Sequence, residues 1–449
     1  MKLMSAIKNN TILFFALIGL SAILYFLFAY HIHRSDFTNV FVIYAALFLL
    51  FLGIYQPKKN NFLILASVGI LFRIIFIVAI PNLSQDFYRF IWDGRMLLNG
   101  FNPYLFTPES FIQNGELPIN QAQELYKGMG QLNGSNFTNY PPINQLCFVL
   151  ANLFSSNSIL GSVIVMRIQI ILADIGILYF GKKLLEQLHL PVSAIFLYFL
   201  NPFIIIELTG NLHFESVMLF FLVWSLYLLH AGKWKTAAVV LACSIAVKLI
   251  PLLFLPLFYQ RFKLKQLIIF YGIILTTVVL LYLPFFNATF ITNYTQSVGL
   301  WFKTFEFNAS FYYLARAIGY QISGYNQIAV IGKIIPLLVI SIILIITFFR
   351  ENKTSIQLIT AMLFSLSIYF FLSTTVHPWY VASLVLLSIF TKFRFALVWS
   401  FIIILSYHAY ANNVFNENLR VVGLAYTLLF LFIFWEIRMR QYIFPTKKQ

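Results

Sequence analysis

Charged residues are scarce in this chain of 449 residues. Asp, Glu, Lys and Arg together make up 10% of it, whereas 61% of the residues are hydrophobic. A soluble domain typically carries about 25% charged residues to cover its surface. This deficit excludes an ordinary soluble protein, because only lipid can solvate so much apolar surface. We therefore expect one integral membrane domain over residues 1–449, with no soluble domain attached.

Cysteine is also nearly absent. The two cysteines, Cys147 and Cys243, lie in apolar stretches and are expected to be small core residues. Redox chemistry and a cysteine-based metal site are therefore not indicated. The alternation of polar and apolar residues that is typical of membrane-spanning β-strands is missing as well.

Long apolar runs dominate what is present. They extend over about 17–25 residues, which is the length that a helix needs to cross the hydrocarbon core of a bilayer. The predicted fold class is all-α, a polytopic bundle of about 12–14 transmembrane helices with a large outer loop. The predicted full spans are 11–31, 38–56, 62–81, 159–181, 191–209, 216–231, 266–286, 327–349, 356–375, 379–391, 395–411 and 421–437.

Two further apolar segments do not fit a single span. Residues 235–260 are too long for one span and are broken by Lys248 and Pro251. We expect them to form a pair of short helices that enters and leaves on one side of the membrane. Residues 141–156 are too short to span, and are expected to form a half-buried helix on the outer side.

Basic residues orient the chain. One set of alternating loops holds 19 of the 30 Lys and Arg residues, including the terminal residues Lys2, Lys8, Lys447 and Lys448. The positive-inside rule places these loops and both termini in the cytoplasm. The net charge of +16 is then a topology signal and a contact with anionic headgroups, not a nucleic-acid surface. The first span lacks a clear small-residue cleavage site and is expected to be a retained anchor.

Few basic residues face the opposite, outer side. They are Arg34, Arg89, Arg95, Lys127, Lys303, Arg316 and Arg420. Most carboxylates fall on this side, and the outer loop of residues 82–158 is the only long connection in the chain. Long loops in compact proteins are usually functional or disordered. The aromatic and proline content of this loop favours order.

Charged and aromatic residues are concentrated at the start of the outer loop. If residues 86–98 are helical, Asp86, Arg89 and Asp93 share one face, with Trp92 and Arg95 on an adjacent one. A carboxylate beside guanidinium and aromatic groups suits a sugar–phosphate substrate, because Arg binds phosphate bidentately. The alternative is an interfacial helix with an aromatic belt and local ion pairs.

The same residues carry a resemblance to a known family. The run Asp-Phe-Tyr-Arg-Phe-Ile-Trp-Asp-Gly-Arg at 86–95, Gly-Phe-Asn-Pro-Tyr at 100–104 and Tyr-Pro-Pro at 140–142 resemble the first outer loop of bacterial polyprenyl-phosphate-dependent mannosyltransferases of the GT-C fold. These bacterial enzymes look related to the catalytic subunit of the first mannosyltransferase of GPI-anchor assembly. The likeness extends over residues 62–390, through segments 210–215, 246–253, 306–310 and 377–380.

This resemblance implies transfer of a hexose, with mannose as the expectation, from a polyprenyl-phosphate donor to a glycolipid or glycan acceptor. The family's catalytic carboxylate maps to Asp86, and Gln85 precedes it where many relatives carry an acidic pair. Asp86 is then the single base of an inverting displacement, without cofactor or metal. The expected substrate-binding residues are Arg89, Trp92, Asp93, Arg95, Asn102, Tyr104, Tyr140, His213, Glu215, Lys248, Glu306, Asn308, His377, Trp379 and Tyr380.

The resemblance also implies an organisation and a location. Residues 1–61 form an extra N-terminal helix pair, residues 62–390 form the catalytic core, and residues 391–449 form C-terminal helices. The expected location is the plasma membrane, with the active site on the outer face. The expected partners are the lipid-linked donor, the acceptor and the bilayer, with no nucleic acid.

Several alternatives remain open at this point. His213 and Glu215 together with Asp86 are a possible metal site, although three scattered oxygen and nitrogen ligands are a poor metal signature. Arg167 and Asp174 share one face of a span, where charges are usually paired or functional; Arg167 pairs for structural reasons or contacts a phosphate. A transporter or flippase of lipid-linked sugars would explain such charges, but internal repeats are not evident. A surface-polysaccharide ligase or polymerase would have the same orientation in the membrane, but not the Asp-x-Tyr-Arg run.

Overall fold

The computed structural model of the protein describes residues 11–155, 157–303, 305–411 and 415–443. Lys2, Lys8, Lys447 and Lys448 lie outside the described residues, as does the side chain of Lys303. Helices form almost all regular structure in the described part of the chain, and the β-structure there is a single isolated bridge between Phe307 and Thr375. The predicted all-α fold is confirmed.

Within the described residues, seven helices are long and apolar enough to cross a membrane, and an eighth span results if one bent pair is counted. The protein is therefore a polytopic membrane protein. These seven helices are Thr11–His31, Phe37–Lys58, Ile159–Gln187, Leu264–Tyr282, Ile328–Phe349, Ser355–Leu372 and Leu419–Ile443. The bent pair is Val192–Phe199 with Pro202–Gly210, inclined by 47°.

Six shorter apolar helices complete the bundle. They are Phe62–Ile74, Pro142–Leu153, Glu215–His230, Trp234–Val247, Pro378–Ile389 and Phe395–Tyr410. Several are shorter than the apolar runs from which they were predicted. The run 62–81, for example, leaves the helix at Ile74 and continues in turns, and Pro202 interrupts the run 191–209 because it lacks the N–H that a continuous helix needs.

Local sequence explains the ends of these helices. Asp36, Asn61 and Ser158 each accept a backbone N–H in the first turn of the following helix, which satisfies a donor that has no partner inside the helix. Thr354 and Gln357 form a reciprocal capping box. The starting points of these capped helices are therefore defined by local sequence as well as by packing.

The exterior of the bundle is apolar. Helices Leu264–Tyr282 and Ile328–Phe349 bury only a small part of their apolar side chains, and Leu275, Leu280 and Leu337 are each more than half exposed. Exposed apolar surface of this extent is typical of helices that contact lipid. By contrast, Arg73 and Asp174 form a fully buried ion pair of 2.8 Å at the centre of the bundle.

Residues 82–158, which are predicted to face the outside and are called the outer segment below, are folded in their described part. It contains the helices Asp86–Leu98, Pro108–Gln113, Ala122–Gly134 and Pro142–Leu153. The helix predicted at 86–98 begins and ends at those residues, and the short helix expected within 141–156 is present. Gly94 allows the first and last of these helices to touch: a Cβ atom there would lie 2.4 Å from the carbonyl oxygen of Phe148.

The segment 235–260 is broken where its sequence predicts. Helix Trp234–Val247 ends at Lys248, whose backbone is extended, and a 3₁₀ segment runs from Ile250 to Arg261. Pro251 begins this second part, and Pro256 inside it lacks the N–H that a regular α-helix needs. The break leaves the Lys248 side chain at the end of a helix, close to the outer segment.

Candidate active site

A cavity of about 590 Å³ lies next to the outer segment and contains Asp86. Six of the predicted site residues line it. They are Asp86, Tyr140, Lys248, His377, Trp379 and Tyr380. Because these residues come from four distant parts of the chain, the cavity exists only in the folded protein.

Asp86 is the first residue of its helix, a position at which the helix dipole favours a negative charge. Asn133 Nδ2 donates a hydrogen bond of 3.2 Å to Asp86 Oδ1. Burial raises the pKa of Asp86, while the Asn133 hydrogen bond and the positive charges of Lys248 and Arg34 oppose this rise; the net direction is upward. Asp86 is therefore a stronger base than an exposed aspartate.

Lys248 brings a positive charge to the same cavity. Its Nζ atom lies 2.5 Å from Glu215 Oε1, and the lysine side chain is 16% exposed while that of Glu215 is fully buried. Glu215 is the first residue of helix Glu215–His230. It does not line the cavity, but it fixes the ammonium group of Lys248 at the cavity wall.

Stacked rings form another wall of the cavity. The ring of Trp379 lies between His377, at 4.5 Å between ring centroids, and His213, at 3.7 Å. Burial and the charge of Lys248 lower the pKa of His377 to about 3. His377 is therefore neutral near pH 7 and offers hydrogen bonds to a substrate, not positive charge. His213 supports this stack from behind.

Asn102 and Tyr104 support the cavity without lining it. The hydroxyl group of Tyr104 donates a 2.6 Å hydrogen bond to the carbonyl oxygen of Tyr140. Asn102 Nδ2 donates to the carbonyl oxygen of Phe285, and its Oδ1 atom accepts from the Tyr104 backbone. These bonds join the start of the outer segment to Tyr140, which does line the cavity.

Arg89 and Asp93 form a buried ion pair of 2.7 Å within the Asp86 helix. The guanidinium group of Arg89 also donates to the carbonyl oxygens of Asn133 and Asn136. Asp93 accepts a further bond from Gln145. The pair therefore faces the rest of the outer segment and not the cavity. Its hydrogen bonds fix the backbone at Asn133, whose side chain contacts Asp86.

Trp92 and Arg95 also lie away from the cavity. Trp92 is buried in the core. Arg95 donates to the side chains of Asn152 and Gln121 and to two backbone carbonyl oxygens, those of Asn120 and Asn157. Through these partners, Arg95 connects helix Asp86–Leu98 to residues near 120 and near 155 of the outer segment.

Glu306 and Asn308 lie in a region that neighbours the cavity. Glu306 forms an ion pair with Arg316 and accepts hydrogen bonds from Tyr312 and Asn326. The backbone of Asn308 has a positive φ of 49°, and its N–H donates to Glu417 at 2.6 Å. Neither residue lines the cavity; both order the segment around Phe307, which does.

Most residues that line the cavity were not among those predicted from the sequence. Arg34, Asn133, Tyr407 and Tyr410 are polar examples. Arg34 carried a usable signal, because it is one of the few basic residues expected on the outer side. The two tyrosines and Asn133 carried none, since their types are abundant elsewhere in the chain.

The intramembrane charges are satisfied away from the cavity. Asp174 pairs with Arg73 and not with Arg167. Arg167 donates to the carbonyl oxygens of Ile77, Thr209 and Gly210, so its role is structural. In the part of the chain that the structure describes, no three His, Cys, Asp or Glu side chains come close enough to hold a metal ion.

Fold and site together define an all-α polytopic membrane protein in which a carboxylate, a lysine and an arginine share one cavity. A family model described as Alpha-(1->6)-mannopyranosyltransferase, N-terminal domain, matches residues 37–261. These residues are half of the chain, and the protein belongs to this family. The matched part includes Asp86, Glu215 and Lys248.

A relative with a known name is the Alpha-(1->6)-mannopyranosyltransferase A of Corynebacterium glutamicum. It is 24% identical over 202 residues, which are 42% of this chain and 38% of that protein. The match therefore covers well under half of the relative's length. The family agrees with the resemblance that the outer-loop motifs carried.

Proposed function

We propose that the protein is a membrane glycosyltransferase that moves a hexose, in first place mannose, from a polyprenyl-phosphate donor to a glycan or glycolipid acceptor. The observation that carries this proposal is the position of Asp86 in a cavity that also contains Lys248. A base and a phosphate-binding cation are the two groups that such a transfer needs. Family membership supports the choice of sugar.

The reaction is a single displacement. Asp86 takes the proton of an acceptor hydroxyl group, and the hydroxyl oxygen forms a bond to the anomeric carbon of the donor sugar. The bond between that carbon and the phosphate oxygen breaks, and its electron pair leaves with the polyprenyl phosphate. Configuration inverts, so the α-linked product that the family name describes requires a β-linked donor.

The remaining cavity groups act on the leaving group and on the sugar. Lys248 neutralises charge on the departing phosphate, which is most effective in a cavity that excludes water. His377 is neutral and offers a hydrogen bond, while Tyr140 and Tyr380 present aromatic surface and polar atoms to the sugar. Glu215 acts indirectly, by positioning Lys248.

The direct test is a transfer assay with purified protein. Synthetic polyprenyl-phosphate mannose and extracted cell-envelope glycolipids are incubated with the protein, and mass spectrometry follows the acceptor. We expect an acceptor mass increase of one hexose and release of polyprenyl phosphate in equal amount. The Asp86→Asn variant serves as the inactive control.

Other results would point elsewhere. Movement of the lipid-linked sugar across proteoliposomes without a new glycosidic bond identifies a flippase and ends the transferase proposal. Equal transfer from nucleotide-linked mannose shows that the donor class proposed here is wrong, while the role of Asp86 stands.

A further inference from the structure

Arg34 enters the cavity from a part of the chain outside the family match. It lies in the short connection between helices Thr11–His31 and Phe37–Lys58, before residue 37, where the match begins. Its side chain lines the same cavity as Asp86 and Lys248, and its charge is close enough to lower the pKa of Asp86. The N-terminal helix pair therefore contributes directly to the site.

The contacts of Arg34 hold it in place without neutralising it. Its Nη2 atom donates a 3.2 Å hydrogen bond to Gln85 Oε1, and its guanidinium group lies 5.0 Å from the ring centroid of Tyr410. Gln85 is in turn fixed through a bond from its Nε2 atom to the carbonyl oxygen of Met129. All these partners are uncharged.

This differs from the other cations around the site. Lys248 is paired with Glu215, and Arg89 with Asp93. Among the described residues, Arg34 forms no ion pair with a carboxylate, because the nearby Asp36 caps the following helix and accepts from Asn39. An arginine with neutral partners in a cavity keeps its affinity for an anion, and its fork of N–H donors matches a phosphate group.

We propose that Arg34 binds the phosphate group of the lipid substrate, so that the N-terminal helix pair completes the active site. This inference rests on the proposed function, because it takes a lipid-linked phosphate as the ligand. Arg34 and Lys248 approach the phosphate from two different parts of the chain. The donor phosphate is the expected ligand, and a phosphodiester in the acceptor glycolipid offers the same chemistry.

Binding of two matched lipids to the purified full chain tests the proposal. A polyprenyl phosphate is compared with the polyprenol of equal length, for the wild type, Arg34→Met, Arg34→Lys and the control Arg420→Met, which removes an exposed outer arginine. We expect Arg34→Met to weaken binding of the polyprenyl phosphate by at least about 10-fold, as for a lost hydrogen bond to a charged group. Arg34→Lys should retain part of the affinity, and polyprenol binding should not change.

The outcomes separate the two proposals. A phosphodiester glycolipid is measured as a third lipid, and equal binding of both this lipid and polyprenyl phosphate by wild type and Arg34→Met overturns the role of Arg34 and leaves the proposed function standing. Loss of polyprenol binding in Arg34→Met also overturns it, since the residue then shapes the cavity. If a phosphodiester glycolipid alone loses affinity, the phosphate site stands and belongs to the acceptor. A wild type that does not prefer polyprenyl phosphate to polyprenol refutes both proposals.

Discussion

Asp86 experiences opposing effects in its cavity. Burial disfavours its charged form, whereas Asn133, Lys248 and Arg34 favour it. The net rise in pKa makes the carboxylate more basic, and its position at a helix N-terminus keeps it ionisable. A general base benefits from both, because it must be deprotonated at the working pH and still accept a proton readily.

Replacement of Asp86 by Asn tests this role. The amide keeps the size of the side chain but removes the base, so we expect transfer to fall by at least about 100-fold while donor binding stays near that of the wild type. Radiolabelled sugar transfer measures the first and lipid binding the second. Asp93→Asn is the matched control; if that variant loses transfer and Asp86→Asn does not, the base is Asp93.

The pH dependence of transfer should report the same carboxylate. Because the base acts only when deprotonated, kcat/KM falls as the pH drops through its pKa, and this acid limb should lie above the pH of about 4 expected for an exposed aspartate. Lys248→Met removes a charge that lowers the Asp86 pKa, so the limb should move to higher pH. An unchanged limb in Lys248→Met, measured at saturating donor, contradicts the coupling.

Helix Asp86–Leu98 contributes both the cavity residue Asp86 and side chains that support the cavity. Its first residue faces the cavity, whereas Arg89, Asp93 and Arg95 face the outer segment and bind its backbone and side chains. Gly94 permits the close approach of helix Pro142–Leu153. These contacts therefore fix the position of the helix, and with it the distance between Asp86 and Asn133.

Breaking the Arg89–Asp93 pair should destabilise the packing of helix Asp86–Leu98 against the rest of the outer segment. Arg89→Met leaves a buried carboxylate without its partner, which costs roughly 3–5 kcal/mol. We expect a lower unfolding temperature and faster hydrogen exchange over residues 122–136. Asp93→Asn, which can keep a hydrogen bond to Arg89, should be milder. Normal stability of Arg89→Met combined with a higher KM for donor would instead assign Arg89 to substrate binding.

The molecule as a whole is an apolar helical bundle, and the outer segment packs as a folded part of it. Lipid covers helices such as Leu264–Tyr282, and the buried charges Arg73, Asp174 and Arg167 have partners inside. The cavity, by contrast, is lined by the charged side chains of Asp86, Lys248 and Arg34. The sidedness of this cavity follows from the basic loops and remains a prediction.

Membrane-impermeant thiol labelling tests the sidedness. In a variant whose Cys147 and Cys243 are replaced by alanine, single cysteines are placed at the exposed positions Glu116, in the outer segment, and Lys353, in a basic loop. We expect intact cells to be labelled at position 116 alone, and opened cells at both. Labelling of intact cells at position 353 alone reverses the orientation and moves the active site to the cytoplasmic face.

The amino-acid sequence by itself determined the membrane class, most of the helices and the central carboxylate. Scarce charge and apolar runs define a helical bundle whatever its tertiary packing, because unpaired backbone in lipid is too costly. The break near Lys248 is also set by local sequence, because Pro251 has no N–H to donate to a helix that would continue through it. Asp86, Lys248, His377 and Tyr380 stood out through their motifs and were placed in one cavity by the fold.

Only the tertiary structure decided which side chains reach that cavity. Spacing along a helix puts Asp86, Arg89 and Asp93 on related faces, but Arg89 and Asp93 bind each other and the outer segment. Arg34 joins Asp86 from far away along the chain. The direction of a charged side chain depends on which partners lie within hydrogen-bond distance, and in this protein those partners come from remote segments that local sequence does not specify.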